Sequence, residues 1–203
     1  MTTAFSVPEA APDKALRREM RRRAIAAREA LDAQVRHSST QALCRALDAL
    51  LARLHPQVLA FCWPYRGEAD LTDWIAGWLA AAPDRVAALP VVQASQAPLA
   101  FSRWVPGDPM RPDAFGIPVP AKFQPLDPDL LLVPLNAFDD KGFRLGYGGG
   151  FFDRTLAARA GLVRTVGVGF ELGRVESILP EAHDRPLDWI VTERGTFGPF
   201  SGG

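Results

Sequence analysis

The sequence lacks the residue patterns that identify several large functional classes. Its two cysteines, Cys44 and Cys62, match no zinc or CxxC spacing, so we expect reduced and buried thiols. No GxxxxGK[ST] segment occurs, which excludes a P-loop, and the absence of GxSxG argues against a covalent hydrolase. Any chemistry must therefore come from other residues.

Net charge and long apolar runs are also missing. The 23 basic and 23 acidic residues cancel, so no overall charge attracts nucleic acid or a membrane. No apolar run reaches the length of a membrane span, and the first residues lack the order of a signal peptide. We therefore expect a cytoplasmic protein, with neither nucleic acid nor a membrane as a partner. We also expect a monomer.

One stretch, residues 130–156, organises the chain, and it reads LLLVPLNAFDDKGFRLGYGGGFFDRTL. Its apolar start indicates a buried strand, and Pro134 ends that strand because proline has no N–H for a strand ladder. A loop rich in charge and glycine follows, and helix-like composition returns at Phe151. The predicted order is therefore strand, cationic glycine loop, helix.

This order suits the binding of a phosphate group. The first N–H groups of a helix attract anions, and glycines let the backbone approach an anion closely. Lys141 and Arg144 can add charge-assisted bonds to phosphate oxygens, and Asp153 can hold a divalent cation on that phosphate. The alternative interpretation is a flexible loop followed by a helix cap.

Arginines crowd the first predicted helix, which begins near Asp13. An apolar stripe at helical spacing predicts its buried face: Leu16, Met20, Ala24, Ala27 and Leu31. Beside the stripe stand Arg17, Arg18, Arg21, Arg22, Arg23 and Arg28. The run is interpreted either as a solvated face or as a cationic face aimed at phosphates. A nucleic-acid interface is a third interpretation, and no recognisable binding motif supports it.

Residues 58–63 predict a second buried strand, with a loop at its carboxyl end, where open α/β sheets bind ligands. Trp63 and Tyr65 suit stacking on a flat heterocycle, and Glu68 suits hydrogen bonding to its ring nitrogens. A core tryptophan and a glutamate near the start of a helix are the alternative interpretations.

The remaining pattern predicts one α/β domain. A second helix is expected from Ser38, and further strands are expected at 85–92, 99–104, 165–170 and 188–192. We expect three layers, with a mostly parallel sheet between helices and an antiparallel addition at 99–104. The expected boundaries are a disordered extension at 1–12, the domain at 13–195 and a loose tail at 196–203.

A later loop carries His183 and Asp184. Such a pair is typical of a polar turn. If Asp184 approaches Asp153, the two carboxylates form a site for Mg²⁺ that bridges nucleotide phosphates.

The segment VPLNAFDDKGFRLGYGGGFFDRTL closely resembles the signature of the 5-formyltetrahydrofolate cyclo-ligase family, also called 5,10-methenyltetrahydrofolate synthetases. Weaker similarity in the same order involves residues 14–17, the loop with Trp63 and Glu68, and residues 183–193. The resemblance implies conversion of 5-formyltetrahydrofolate and ATP, with Mg²⁺, into 5,10-methenyltetrahydrofolate, ADP and phosphate. A catalytically silent nucleotide-binding paralogue is the alternative.

The resemblance also implies roles for individual residues. Arg144 and Tyr147 would act in catalysis, and Asp153 and Asp184 would bind Mg²⁺. The implied ATP-binding residues are Lys14, Arg17, Arg144, Gly146, Tyr147, Gly148, Gly149, Gly150, Phe151 and Phe152. The implied substrate-binding residues are Trp63, Glu68, Tyr147, Gly148, Gly149, Gly150 and Phe151. The chain departs from the family pattern at Phe151-Phe152, often a tyrosine pair, and at Gly149, where some members carry lysine.

Overall fold

A computed structural model of the protein describes residues 12–200 as a central sheet with helices on both faces. Within this range the helices are α1 (Pro12–Glu29), α2 (Ala33–Leu54), α3 (Thr72–Ala80) and α4 (Phe151–Ala158). The strands of the main sheet are β1 (Val58–Ala60), β2 (Val86–Val91), β3 (Ala100–Trp104), β6 (Leu130–Pro134), β9 (Arg164–Val168), β10 (Trp189–Thr192) and β11 (Gly195–Phe197). Two separate hairpins pair β4 (Met110–Pro112) with β5 (Pro118–Pro120) and β7 (Ala137–Phe138) with β8 (Arg144–Leu145).

The sheet has the spatial order β11-β10-β9-β6-β1-β2-β3. The five inner strands are parallel, whereas β3 and β11 pair antiparallel at the two edges. Leu132 of β6 packs toward α2 and α3, and its neighbours Leu131 and Val133 pack toward α4. Because both faces are buried, the strand is apolar without alternation. The predicted α/β fold with a mostly parallel sheet and an antiparallel addition is confirmed.

The second helix begins earlier than predicted. Its first residue is Ala33 rather than Ser38, because the Asp32 carboxylate accepts hydrogen bonds from the N–H groups of Gln34 and Val35. The inward residues of α2 are Leu43, Leu47, Leu50 and Leu51.

The carboxyl-terminal segment is more ordered than expected. Strand β11 pairs with β10, and Phe200 packs against the core cluster that contains Leu156 of α4. The expected loose tail is therefore wrong for residues 196–200. The expected disorder at residues 1–11 and the end of the tail at 201–203 lie outside the described residues. Within residues 12–200, none of the helices combines the length and apolar character needed to cross a bilayer.

Candidate active site

A cavity of about 770 Å³ lies at the carboxyl edge of the parallel strands. Its wall is formed by residues at or just after the carboxyl ends of β1, β2 and β6, by α1, by α4 and by the glycine loop, residues 146–150. Open α/β sheets bind ligands at this edge. Lys141, which was predicted to bond phosphate, is exposed and does not line the cavity. The cavity is lined by every residue to which the family resemblance assigns a role in catalysis or in binding ATP, substrate or metal: Lys14, Arg17, Trp63, Glu68, Arg144, Gly146, Tyr147, Gly148, Gly149, Gly150, Phe151, Phe152, Asp153 and Asp184.

Helix α1 turns arginines rather than leucines toward the interior. Arg17 and Arg28 are buried, whereas Leu16 and Ala27 of the predicted apolar stripe are exposed. The predicted buried face is therefore wrong at these two positions. The physical reason is that the opposing surface offers carboxylate, carbonyl and hydroxyl oxygens, which suit guanidinium groups better than leucine side chains.

The outer arginines of α1 behave differently. Arg22 and Arg23 both donate hydrogen bonds to the Glu19 carboxylate, and their side chains are 69% and 77% exposed. These pairs sit at helical spacings and are solvated. The arginine run thus has a solvated side and a side that faces the cavity.

Arg17 forms a buried ion pair with Asp184. Arg17 Nη1 lies 2.5 Å from Asp184 Oδ2, and Nη2 lies 3.2 Å from Oδ1. Burial by itself raises the pKa of Asp184, but the Arg17 hydrogen bond, the Glu181 N–H and the Arg17 charge outweigh burial and lower it. Both carboxylate oxygens therefore already have partners. The Mg²⁺ role predicted for Asp184 stays a prediction.

Arg144 forms a second pair with Asp153. Arg144, predicted within the cationic loop, lies on β8 with its side chain 3% exposed. Its Nη2 donates to Asp153 Oδ1 at 2.6 Å, and its Nη1 donates to the Arg185 carbonyl at 3.0 Å. The pair therefore ties the start of α4 to the hairpin β7–β8.

Asp153 retains capacity for a cation. Its side chain is 26% exposed, and Oδ2 accepts no hydrogen bond from the described residues. Mg²⁺ is held by one or two carboxylates together with phosphate oxygens and waters, so this oxygen fits a metal that arrives with a nucleotide. Among residues 12–200, no group of three His, Cys, Asp or Glu side chains could hold a metal by protein ligands alone.

The glycine loop is held by arginines at both ends. Arg21 Nε donates to the Gly146 carbonyl at 2.6 Å, and Arg154 Nη2 donates to the Gly149 carbonyl at 2.9 Å. Gly148 and Gly150 have φ angles of 95° and 66°, which residues with a side chain rarely adopt. Gly150 is the N-cap of α4, so the unpaired N–H groups of that helix begin at the cavity.

Arg21 was predicted only as one member of the arginine run, and not as an individual site residue. It lines the cavity, and its Nη groups make no hydrogen bond to described residues. Burial, and then repulsion from Arg17, lower its pKa. A half-buried guanidinium with free donors is suited to an incoming phosphate. The available signal was its position four residues after Arg17, which places both on one helical face.

The opposite part of the lining contains a carboxylate, Glu68, whose side chain is 11% exposed. Glu68 Oε1 accepts a hydrogen bond from the Tyr147 hydroxyl at 2.8 Å, and Oε2 accepts one from the Tyr65 N–H at 3.1 Å. Burial raises the pKa of Glu68, although the charge of Arg28 and the bonds from Tyr147 and Tyr65 act in the opposite direction. The carboxylate can accept further hydrogen bonds from the N–H groups of a ring.

Aromatic rings complete the lining. Trp63 packs edge-on against Trp104 at 6.2 Å and also lines the cavity, so it is both a core residue and a wall residue. The ring centroids of Phe151 and Phe115 are 5.9 Å apart. Phe115 is 56% exposed and lies in the turn between β4 and β5. Sequence reasoning missed Phe115, because the proline-rich segment around it reads as a connection rather than a hairpin.

The fold and this cavity define an α/β protein with a small-molecule site at the carboxyl edge of a parallel sheet. More narrowly, the chain belongs to the 5-formyltetrahydrofolate cyclo-ligase family, whose model matches residues 13–193. The predicted family is thereby confirmed.

Individual relatives agree with this assignment. A Haemophilus influenzae 5-formyltetrahydrofolate cyclo-ligase is 42% identical over 95 residues, which are 44% of this chain and 51% of that protein. The Escherichia coli K12 protein of the same name is 45% identical over 65 residues, 32% of this chain and 36% of that protein. The matched segments thus span about half and about a third of the length of these curated relatives.

Solved structures resemble the chain over more of its length. The Aquifex aeolicus 5,10-methenyltetrahydrofolate synthetase has a TM-score of 0.77 and 28% identity, with 93% of this chain and 95% of that chain covered. A Mycoplasma pneumoniae 5,10-methenyltetrahydrofolate synthetase has a TM-score of 0.73 and 20% identity, with 87% of this chain and 98% of that chain covered. The second similarity supports the fold alone.

Proposed function

We propose that the protein closes the ring of 5-formyltetrahydrofolate to give 5,10-methenyltetrahydrofolate, with ATP converted to ADP and phosphate. The observation that carries the proposal is a single cavity that joins two kinds of lining. One is an arginine and glycine-loop surface suited to phosphates, and the other is the largely shielded Glu68 among aromatic rings, suited to a flat heterocycle. Family membership supplies the reaction that unites them.

The ATP phosphates are assigned to the cationic lining. In this proposal Lys14, Arg17 and Arg21 of α1 face them from one side, and the glycine loop with the first N–H groups of α4 faces them from the other. Arg144 lies beside the start of α4, where it neutralises charge on the transferred phosphoryl group. Mg²⁺ bound by Asp153 and the phosphates would add charge neutralisation when it is present.

The pterin is assigned to the aromatic lining. Glu68 accepts hydrogen bonds from ring N–H groups, and Trp63, Phe151 and Tyr147 provide flat surfaces. The glycine loop lies between the two ligands, since Tyr147 contacts Glu68 while the Gly146 carbonyl contacts Arg21. That arrangement brings the formyl group to the γ-phosphate.

The proposed reaction requires positioning rather than a protein nucleophile. The formyl oxygen attacks the γ-phosphorus and ADP leaves, which gives an iminium phosphate. N10 then adds to the formyl carbon and loses its proton, the C–O bond breaks, and phosphate carries the oxygen away. The protein holds the two substrates in line and stabilises the charge on the phosphoryl group.

Turnover tests the proposal directly. Purified protein is mixed with ATP, Mg²⁺ and 5-formyltetrahydrofolate, while the near-ultraviolet absorbance of the methenyl product and the release of ADP are followed together. We expect one ADP per methenyl product and no product without ATP. Binding of ATP without product would instead indicate a silent nucleotide-binding paralogue and would overturn the proposal.

A further inference from the structure

Arg28 lies behind the cavity wall, near the end of α1, and only 3% of its surface is exposed. It is absent from the cavity lining, and sequence reasoning gave it no role beyond the arginine run. A buried guanidinium needs partners for its five N–H donors. The burial of this charged side chain must therefore be explained by the groups that it contacts.

Its contacts reach three separate chain segments. Nε donates to the Arg66 carbonyl at 3.0 Å. Nη1 donates to the Leu135 carbonyl at 3.1 Å and to Asn136 Oδ1 at 3.0 Å. Nη2 donates to the Tyr147 hydroxyl at 2.7 Å. The segments are the loop after β1, the end of β6 and the glycine loop, and all three border the cavity.

The Tyr147 hydroxyl links Arg28 to Glu68. Its oxygen accepts from Arg28 Nη2 and its proton is donated to Glu68 Oε1 at 2.8 Å. Arg28 Nη2 itself lies 3.7 Å from the same Oε1 atom. Arg28, Tyr147 and Glu68 therefore form one hydrogen-bonded chain, in which only Arg28 lies outside the cavity.

The loop that carries Glu68 needs such support. Arg66 and Gly67 have positive φ angles of 50° and 75°, and a non-glycine residue at positive φ is conformationally costly. Arg28 Nε fixes the carbonyl of Arg66, and the Arg28 carbonyl lies 3.3 Å from the place a Cβ on Gly67 would take. The guanidinium group and the backbone of α1 thus confine this loop from the same side.

We propose that Arg28 is a positioning residue, which fixes Tyr147 and Glu68 in one arrangement and so sets the affinity of the site for the pterin. The inference rests on the proposed function. Lysine cannot replace this group, because one ammonium cannot span the planar fork that reaches Arg66, Asn136 and Tyr147 together.

Arg28 also supplies the positive charge nearest to Glu68. The other groups that face this carboxylate are the Tyr147 hydroxyl, the Tyr65 N–H and the thiol of Cys62. Burial raises the pKa of Glu68, and the charge of Arg28 opposes that rise. Without the charge, Glu68 takes up a proton at a higher pH and loses acceptor capacity toward ring N–H groups.

Two substitutions separate the role of the planar guanidinium group from the role of its positive charge. Arg28→Lys keeps the charge and removes the guanidinium group, whereas Arg28→Gln removes both. Arg23→Gln is the matched control, since Arg23 lies on the same helix with a 77% exposed side chain. For each protein we would measure 5-formyltetrahydrofolate binding by calorimetry, KM for folate and for ATP, and kcat/KM for folate against pH.

We expect Arg28→Gln to weaken folate binding on the order of tenfold or more, the loss of one or two charge-assisted bonds, with a much smaller change in KM for ATP. The acidic limb of its pH profile should move to higher pH, because that limb reports the pKa of Glu68 in the free enzyme. Arg28→Lys should also weaken folate binding, but the acidic limb of its kcat/KM profile should move less than that of Arg28→Gln. Arg23→Gln should match the wild type in both measurements.

A purely structural Arg28 would give a different pattern. The fraction of active protein and the melting temperature of the variants would then fall, while the folded protein keeps both KM values and the acidic limb of its kcat/KM profile unchanged. That result overturns the inference. If Arg28→Gln does not fold, the pair Arg28→Lys and Tyr147→Phe decides. If the double variant loses the sum of the two single losses in folate affinity, the hydrogen-bonded chain from Arg28 through Tyr147 to Glu68 is refuted. A non-additive loss supports it. A wild-type protein that neither binds nor converts the folate refutes the proposed function itself.

Discussion

Arg17 and Asp184 form a buried ion pair between residues that lie 167 positions apart in the sequence. Their side chains are 10% and 3% exposed, and Arg17 also donates to the Leu179 carbonyl at 2.8 Å. The pair therefore connects α1 to the loop that precedes β10, across one wall of the cavity.

Removal of Arg17 should destabilise the protein strongly. Arg17→Met leaves the Asp184 carboxylate buried without its cation, which costs about 3 kcal/mol or more in the free energy of unfolding. Urea denaturation at pH 7 measures the change. The matched control is Asp127→Asn, which breaks the Arg159 pair at an 83% exposed carboxylate and should cost under about 1 kcal/mol. Equal losses in the two variants would contradict the energetic role of the buried pair.

The same pair predicts an acid-sensitive contribution to stability. Because the folded pKa of Asp184 is lowered, its stabilisation is complete above the pKa of an unfolded aspartate, about 3.9, and is lost as the pH falls through the folded pKa. The difference in unfolding free energy between wild type and Asp184→Asn should therefore be constant from about pH 5 to 8 and shrink below about pH 4. A difference that grows in acid would contradict the assignment.

Asp153 and Asp184 should respond differently to Mg²⁺. Asp153→Asn should raise the Mg²⁺ concentration needed for half-maximal turnover, because Asp153 Oδ2 has no partner among the described residues. Asp184→Asn should mainly lower stability, since both of its oxygens are bonded to Arg17. Mg²⁺ titrations of the two variants, corrected for folded fraction, distinguish the roles. An unchanged titration for Asp153→Asn removes it from the metal site.

Arg21 should contribute to ATP affinity. Arg21→Met removes a guanidinium whose Nη donors are free among residues 12–200, so KM for ATP should rise on the order of tenfold, with a smaller change for folate. The control is Arg22→Met on the solvated side of α1, where the guanidinium bonds only Glu19 within the described residues. If both variants give the wild-type KM for ATP, Arg21 is not a phosphate ligand.

The backbone at Gly148 offers a test of the glycine loop. Gly148→Ala forces a side chain onto a φ of 95°, at a cost of about 1 kcal/mol or more, and should impair turnover as the loop shifts. Gly107→Ala is matched in strain, with a φ of 88° and open space for a Cβ, but it lies outside the cavity lining. It should lose comparable stability and retain full kcat. Comparable losses of kcat in both variants would show that the effect is general destabilisation.

Sequence patterns predicted the parts of the fold that local physical chemistry decides. The strand at 130–134 was predictable because both of its faces are buried, and α4 was predictable from the composition that follows Gly150. The inward face of α1 was predictable only in part. Met20 and Ala24 of the predicted stripe pack against a core cluster, whereas Arg17 and Arg28 are buried through distant oxygen partners that no local pattern indicates.

The residues that line the cavity also differ in how far the sequence predicts them. Residues in a dense local motif, such as Arg144 and the glycine loop, could be selected from the sequence. Phe115 could not be selected, and Arg21 could be placed only within the arginine run, because their positions in the wall depend on how the β4–β5 hairpin and α1 dock onto the sheet. The partner of Asp184 was equally hidden, since no local signal links it to Arg17.

Helix α1 has a consequence for the timing of assembly during translation. A ribosome releases α1 before the sheet that it packs against, yet most of the oxygens that hold its inward guanidinium groups come much later in the chain, on Leu135, Asn136, Gly146, Tyr147, Leu179 and Asp184. The buried arginines of α1 therefore cannot complete their bonds until the loop that carries Asp184 has emerged. The cationic side of the pocket is translated before most of the segments that hold it, so a nascent chain lacks this wall of the cavity until late in synthesis.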